Sequence, residues 1–479
     1  MRQESRTDSS PPLALIVVLA ALAGGMGWGI RGQYGHQTGA MMAGLLVSLV
    51  IVLLLGGNTS SLHVVRAAGM GAIGIGFGGS MTYGQTIGLT QDVELRGNWS
   101  ALSWGMIGLA VKGGVWVGFC GALLGMGLSR LRYRTGELAL LFLTLIGFLF
   151  LGLFLLNSPF DPANRQLPAL YFSATWEWFP LKEDPKPRYE NWGGLLAALI
   201  ALIVYLGAGK KDRVARNLAL WGLLSGAIGF PAGQSLQAYH AWNEAAFVDG
   251  PLAPFGFITN WWNVMEITFG MVLGGGLGLG AWLHRGALGE WEGEDAVEVT
   301  PRVEALCVGL HGATLIAWEF LDFGPVERWA DMALPVWILP LLAVVGGRRF
   351  RYAFVLPVVA LPIAGKTLRE LSYKPESLLI PAVVGWPVFV VLPLIVMSVV
   401  AWYSYRRAED GEPGRTFAAR ALVCSAWLYY GLNYAFFRFP WPWQPPTGRT
   451  PSAVLFTICV LALTGAAWPH LFPPSSRRR

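Results

Sequence analysis

Runs of about 20 apolar residues recur from one end of this chain to the other, and no other feature restricts its fold as much. A run of that length crosses the ~30 Å hydrocarbon core of a bilayer as a helix, the one single-segment conformation that satisfies its own backbone groups in lipid. Apolar windows fall at 12–30, 38–56, 67–89, 101–129, 137–156, 192–208, 217–240, 261–283, 303–320, 333–346, 352–365, 377–402, 417–437 and 452–470. This predicts an all-α polytopic integral membrane protein of about 14 transmembrane helices. The short windows 333–346 and 352–365 also suit one re-entrant hairpin, which would bring the range down to 12–14. Composition points the same way. The 479 residues are 54% hydrophobic and 13% charged, against roughly 25% charged in soluble domains, which excludes soluble and disordered classes. The 22 tryptophans suit membrane–water boundaries.

The formal charge of +6 does not point to nucleic acid, because the basic residues stand in short clusters between apolar windows. With the N-terminus inside and the windows alternating, inside segments hold 22 of the 35 Lys and Arg and outside segments 12, with Lys112 inside a window. Arg130, Arg132 and Arg134, then Lys210, Lys211, Arg213 and Arg216, lead the inside set. The positive-inside rule therefore predicts a multi-pass protein of the cell (inner) membrane with both termini cytoplasmic. Arg2, Arg6, the apolar run from Leu13 and Ala21-Leu22-Ala23 are laid out like a signal peptide; Glu4, Asp8 and the run continuing past Ala23 favour a retained first span. The long connections 157–191, 241–260 and 438–451 all fall outside, and working loops are usually the longer ones.

Several chemistries drop out. Cys120, Cys307, Cys424 and Cys459 lie far apart in apolar windows with no CxxC, and there is no HExxH, P-loop or GxSxG. No cofactor or metal is expected. Gly27-x-Gly29-x-x-Gly32 imitates a dinucleotide fingerprint but lacks the preceding strand and the later acidic residue.

Glycine divides the chain: 49 of 61 lie before residue 300. We therefore expect a Gly-rich membrane bundle over 1–290 and a Gly-poor one over 291–479. Within the first, Gly71-Ala72-Ile73-Gly74 is echoed by Gly226-Ala227-Ile228-Gly229, Gly84-Gln85-Thr86 by Gly233-Gln234-Ser235, and 99–128 by 261–283. These echoes suggest a parallel repeat of about 15–130 and 192–285, a device common in transporters. Pairs such as Gly114-xxx-Gly118 and Gly270-xxx-Gly274 let helix backbones approach closely, within one chain or between copies in an oligomer.

Ionisable groups inside a span usually face a cavity or a partner. Lys112 and Glu266 are two such groups, and an ion pair between them would let both stay charged. The turn after the first window carries Arg31, Gln33 and His36, dense in hydrogen-bonding groups, with Arg31 able to bind a carboxylate or phosphate as a fork. Gln234, Gln237 and His240 share one helical stripe, with Pro231 predicted to kink or break the helix just before them. Gln85 and Asn263 complete the polar set, and Glu177, Glu319 and Asp322 are carboxylates expected near the outer surface.

Three readings follow. The first is a transporter or permease for a small polar or anionic solute, proton-coupled through Lys112 and Glu266. The second is a membrane-embedded transferase acting on a lipid-linked or extracytoplasmic substrate through Glu177, Glu319 and Asp322. The third is a structural membrane subunit. The partners are the lipid bilayer and a small solute or lipid headgroup. Whether the chain is an enzyme turns on where those carboxylates lie.

Overall fold

The computed structural model describes residues 11–35, 38–57, 59–79, 81–180, 186–291, 299–320, 355–374, 379–409, 411–438 and 446–471. Among them there is no β-strand. The helices are α1 (Leu13–Arg31), α2 (Thr38–Leu55), α3 (Ser61–Gly78), α4 (Gly84–Gln91), α5 (Trp99–Leu128), α6 (Thr135–Leu156) and α7 (Trp192–Val204), which runs on into a π turn, Tyr205–Gly209. After these come α8 (Arg213–Trp242), α9 (Glu244–Val248), α10 (Ala253–Ile258), α11 (Trp261–Leu283), α12 (Pro301–Phe320) and α13 (Val355–Ser372). A π segment, Trp386–Val391, joins α14 (Ala382–Gly385) to α15 (Leu392–Glu409); α16 (Gly414–Phe436) and α17 (Thr450–Leu471) follow. Each apolar window overlaps one or more of these helices except 333–346, which lies outside the described residues.

Local chemistry sets the helix starts. The side chains of Asn98, Asp212 and Asn260 accept the backbone N–H of the third residue of α5, α8 and α11, at 2.9–3.0 Å, so one orphan donor of each first turn is satisfied. Two windows depart from expectation. The window 67–89 falls on two helices: α3 ends at Gly78, with Gly79 as its C-cap, and α4 begins at Gly84, directly after Tyr83. The window 217–240 is continuous: α8 runs unbroken through Pro231 for 30 residues. It packs along both α5 and α11, and that tertiary packing keeps the helix continuous through a residue that lacks an N–H.

Seven helical segments among the described residues are long and apolar enough to cross a bilayer: α1, α5, α6, α7 with its π turn, α11, the α14–α15 rod and α17; α2 is apolar but shorter. The chain is thus an all-helical protein with membrane-spanning character. α6 shows the lipid-facing pattern plainly. Leu138, Leu141 and Leu145 are buried, whereas Leu140, Leu143, Phe150 and Phe154 stand exposed on its other side.

At the centre α5 packs along α8, α8 along α11, α11 along α1, and α3 along α5. α16 and α17 lean on α2 and α1, and one continuous hydrophobic core includes residues of both glycine-defined halves, such as Leu46, Leu273, Leu368 and Tyr429. Glycine sets these distances. Gly24 of α1 and Gly270 of α11 face each other so closely that a Cβ on either would land on the other's carbonyl oxygen.

Gly270→Val should therefore force α1 and α11 apart and lower the unfolding temperature of the purified protein, by an overpacking penalty of about 1–3 kcal/mol or more. Gly147→Ala on α6, where nothing lies within 4 Å of the added methyl, should leave the unfolding temperature unchanged or higher. Equal melting of the two variants would rule out the seam.

Candidate functional site

α1 ends at Arg31, whose side chain turns into the bundle and is 2% exposed. Its guanidinium lies 4.8 Å from the ring centre of Trp28, 5.2 Å from Trp116 and 5.5 Å from Tyr83. It donates to the Tyr83 hydroxyl at 2.9 Å and to Glu266 Oε1 at 3.2 Å. Glu266, 1% exposed, also accepts from Trp262 Nε1 at 3.2 Å, and its Oε2 has no hydrogen-bond partner. Gly32 leaves the room this carboxylate occupies, since a Cβ there would overlap it. The walls are aromatic: Trp28 meets Trp116 and Phe269 edge to face at 5.0 and 4.5 Å, and Phe230 stacks on Phe269 at 4.6 Å. Tyr83 is the residue that precedes α4, so the break between α3 and α4 opens beside this ion pair.

Lys112 lies near the middle of α5 and is fully buried. The expected ion pair between Lys112 and Glu266 is not formed. Lys112 Nζ instead donates to Glu190 Oε1 at 2.5 Å and to Thr86 Oγ1 at 2.7 Å. Glu190 sits just ahead of α7 at the close of the 157–191 connection, and it also accepts from Ser173 Oγ at 2.8 Å and the Phe172 N–H at 2.9 Å. Lys112 thus has two hydrogen-bond partners and Glu190 three, the polar support a buried charge requires. The physical reason for the different pairing is reach. Arg31 already occupies Glu266, while the long connection folds down over the end of α5 and brings its own carboxylate.

The same connection is held by Gln85, whose Nε2 donates to the Lys186 carbonyl at 2.7 Å and whose Oε1 accepts from the Arg188 N–H at 3.1 Å. Gln85 is thus a tether. Gln234 is buried on α8 and donates to Thr90 Oγ1 at 2.8 Å, and Trp242 donates to the Thr90 carbonyl at 2.9 Å. α4 is therefore gripped at both ends by side chains from other elements. Asn263 is buried on α11; it donates to the Gly29 carbonyl at 2.9 Å and pairs with Ser452 of α17.

Gln237 and His240 continue the α8 stripe outward and line an open cleft of about 930 Å³ formed with the segment 91–96 and the start of α11. Gln33 is half-buried in the turn after α1, and Glu177 is exposed in the long connection. His36 and Asp322 lie outside the described residues, and Glu319 is described only as part of α12. Sequence reasoning missed Trp28, Tyr83, Thr86, Trp116 and Glu190. The aromatic residues look like ordinary core, and Glu190 lies in a connection where a carboxylate attracts no notice.

Lys112→Met leaves Glu190 buried without its cation and should destabilise the fold by about 3–5 kcal/mol. Residues 186–190 should then exchange their amide hydrogens faster. The double variant Lys112→Met/Glu190→Gln, which buries no charge, should recover most of the loss. Wild-type stability and exchange in Lys112→Met would show that the pair clamps nothing.

No protein-family model matches this chain, and no curated protein or solved structure is similar to it.

Proposed function

We propose that the chain is a membrane transporter or permease for a small polar solute, with Arg31 and Glu266 as its charged centre. The supporting observation is the helix break between α3 and α4 set against a buried ion pair. Interrupted helices beside a polar centre are how transporters bind solute and change shape, because the freed backbone groups face a cavity and the break acts as a hinge. In this reading protonation of Glu266 releases Arg31, and both side chains then bond to oxygen atoms of the solute. Coupling thus runs through Glu266 and Arg31. Lys112 holds the 157–191 connection on the outer end and does not carry the proton.

The parallel repeat belongs to this reading. α3 packs on α5 as α8 packs on α11, and each pair holds one copy of the glycine echo. The full count of 12–14 spans and the inner-membrane location with cytoplasmic termini belong to it as well. The orientation is supported by the grouping of loop residues: Tyr133 bonds to Asp212 at 2.7 Å and Lys210 to Glu137 at 2.6 Å, so two basic loops share one end. Gln85, Glu190 and the cleft belong to the opposite end. No observation of comparable weight favours the transferase reading through Glu177, Glu319 and Asp322.

The test is uptake into proteoliposomes that carry a pH-sensitive dye and an imposed proton gradient, across a panel of sugars, amino acids and carboxylates. Wild type should accumulate a solute and consume the gradient. Glu266→Gln should lose gradient-driven accumulation while still exchanging solute across the membrane, and Arg31→Lys should lose both, since an ammonium does not match the flat guanidinium between rings. Gradient-driven accumulation by Glu266→Gln at the wild-type rate would remove the coupling role.

A further inference from the structure

The open cleft beside Gln237 has unmet hydrogen-bonding capacity that identifies what it takes. We infer that it is a binding site for polyhydroxylated solutes of the saccharide class, the outer subsite of the transport path proposed above, on which this assignment rests.

The cleft measures about 930 Å³, within the range of small-molecule sites. Gln237, one of its lining residues, is 7% exposed, and its Oε1 is buried with no hydrogen-bond partner. Beside it the indole Nε1 of Trp261 is likewise buried and unpartnered. One is an acceptor and the other a donor, and a desolvated group left unmatched costs free energy that a matching partner recovers. The indole is held in place by His240, stacked on it at 4.8 Å and 15°, and by Phe247 edge-on at 5.0 Å. At the rim Arg96 pairs with Glu244 at 2.5 Å, both partly open to solvent.

Three classes of small solute can be weighed against this lining. An ammonium group has no acceptor to offer the indole N–H. An anion would enter a cleft whose wall carries Asp92, Glu94 and Glu244 against Arg96 alone among fixed cations. A hydroxyl both donates and accepts, so adjacent hydroxyls on one ring satisfy Gln237 and Trp261 together, and the carboxylates at the wall accept from the others. The stripe then leads inward. Gln234 lies one turn below Gln237 on α8, fully buried, and its Oε1 is also without a partner. It offers the next acceptor on the way from the cleft into the bundle.

The experiment uses the full chain in lipid nanodiscs, with tryptophan fluorescence and calorimetry read during titration with a panel of mono- and disaccharides, choline, amino acids and citrate. A saccharide should bind saturably, and Gln237→Leu should weaken it about tenfold, the factor for a lost hydrogen bond in a desolvated site. Trp261→Phe, which keeps a ring and deletes the N–H, should also weaken it while the unfolding temperature holds. Binding of choline or citrate in preference to every saccharide, no saccharide binding at all, or equal saccharide binding by wild type and Gln237→Leu would overturn the assignment. Saccharide binding without uptake in proteoliposomes would remove the transport reading and leave the cleft. Uptake unchanged in both cleft variants would remove the cleft from the path and leave transport.

Discussion

A guanidinium inside an apolar bundle keeps its charge only where a carboxylate and polarisable rings replace the water it has lost. Arg31 meets that condition through residues from four helices and a helix break. Trp28 comes from its own helix, Trp116 from α5, Glu266 from α11 and Tyr83 from the start of α4, with Phe230 and Phe269 closing the ring behind them. The convergence of α1, α4, α5, α8 and α11 is thus tied to one cation. Moving any of these elements separates the charge from a partner, so the pair orders the bundle.

The second pair, Lys112 with Glu190, acts on a different part of the molecule. It joins the middle of α5 to the end of a connection that contains no long helix, and Gln85 joins the same connection to α4. The two charged centres are neighbours, since Trp116 beside Arg31 is one turn from Lys112 and Tyr83 is three residues from Thr86; elsewhere helices such as α1 and α11 meet at glycines. A seam of small residues brings backbones close without interlocking side chains, so helices are free to slide along it more easily than across a bed of leucines.

Some of this was legible along the chain and some was not. Lys112 and Glu266 drew notice because ionisable groups in apolar windows need a reason. The Gln234, Gln237 and His240 stripe was readable from helical spacing, since position on one helix face depends only on local geometry. Their partners were hidden because pairing is a matter of distance in space. Arg31 and Glu266 are 235 residues apart, and Glu190 lies in a connection with no periodic pattern. The break in the 67–89 window was not foreseen, and Pro231, expected to kink or break α8, does not interrupt the helix. An interior proline costs a helix about 3 kcal/mol, and α8 meets that cost packed between α5 and α11, neighbours that the local sequence does not name.

The amino-acid order alone determined that this chain is helical, where most of its helices lie and that it is built for lipid, because backbone groups in hydrocarbon leave one local solution and apolar length reports it directly. Which buried charge meets which counter-charge was decided only when the helices packed, and so was the cleft that leaves Gln237 and Trp261 unsatisfied. Those outcomes depend on the separations between helices, and a glycine seam sets those separations to within a methyl group.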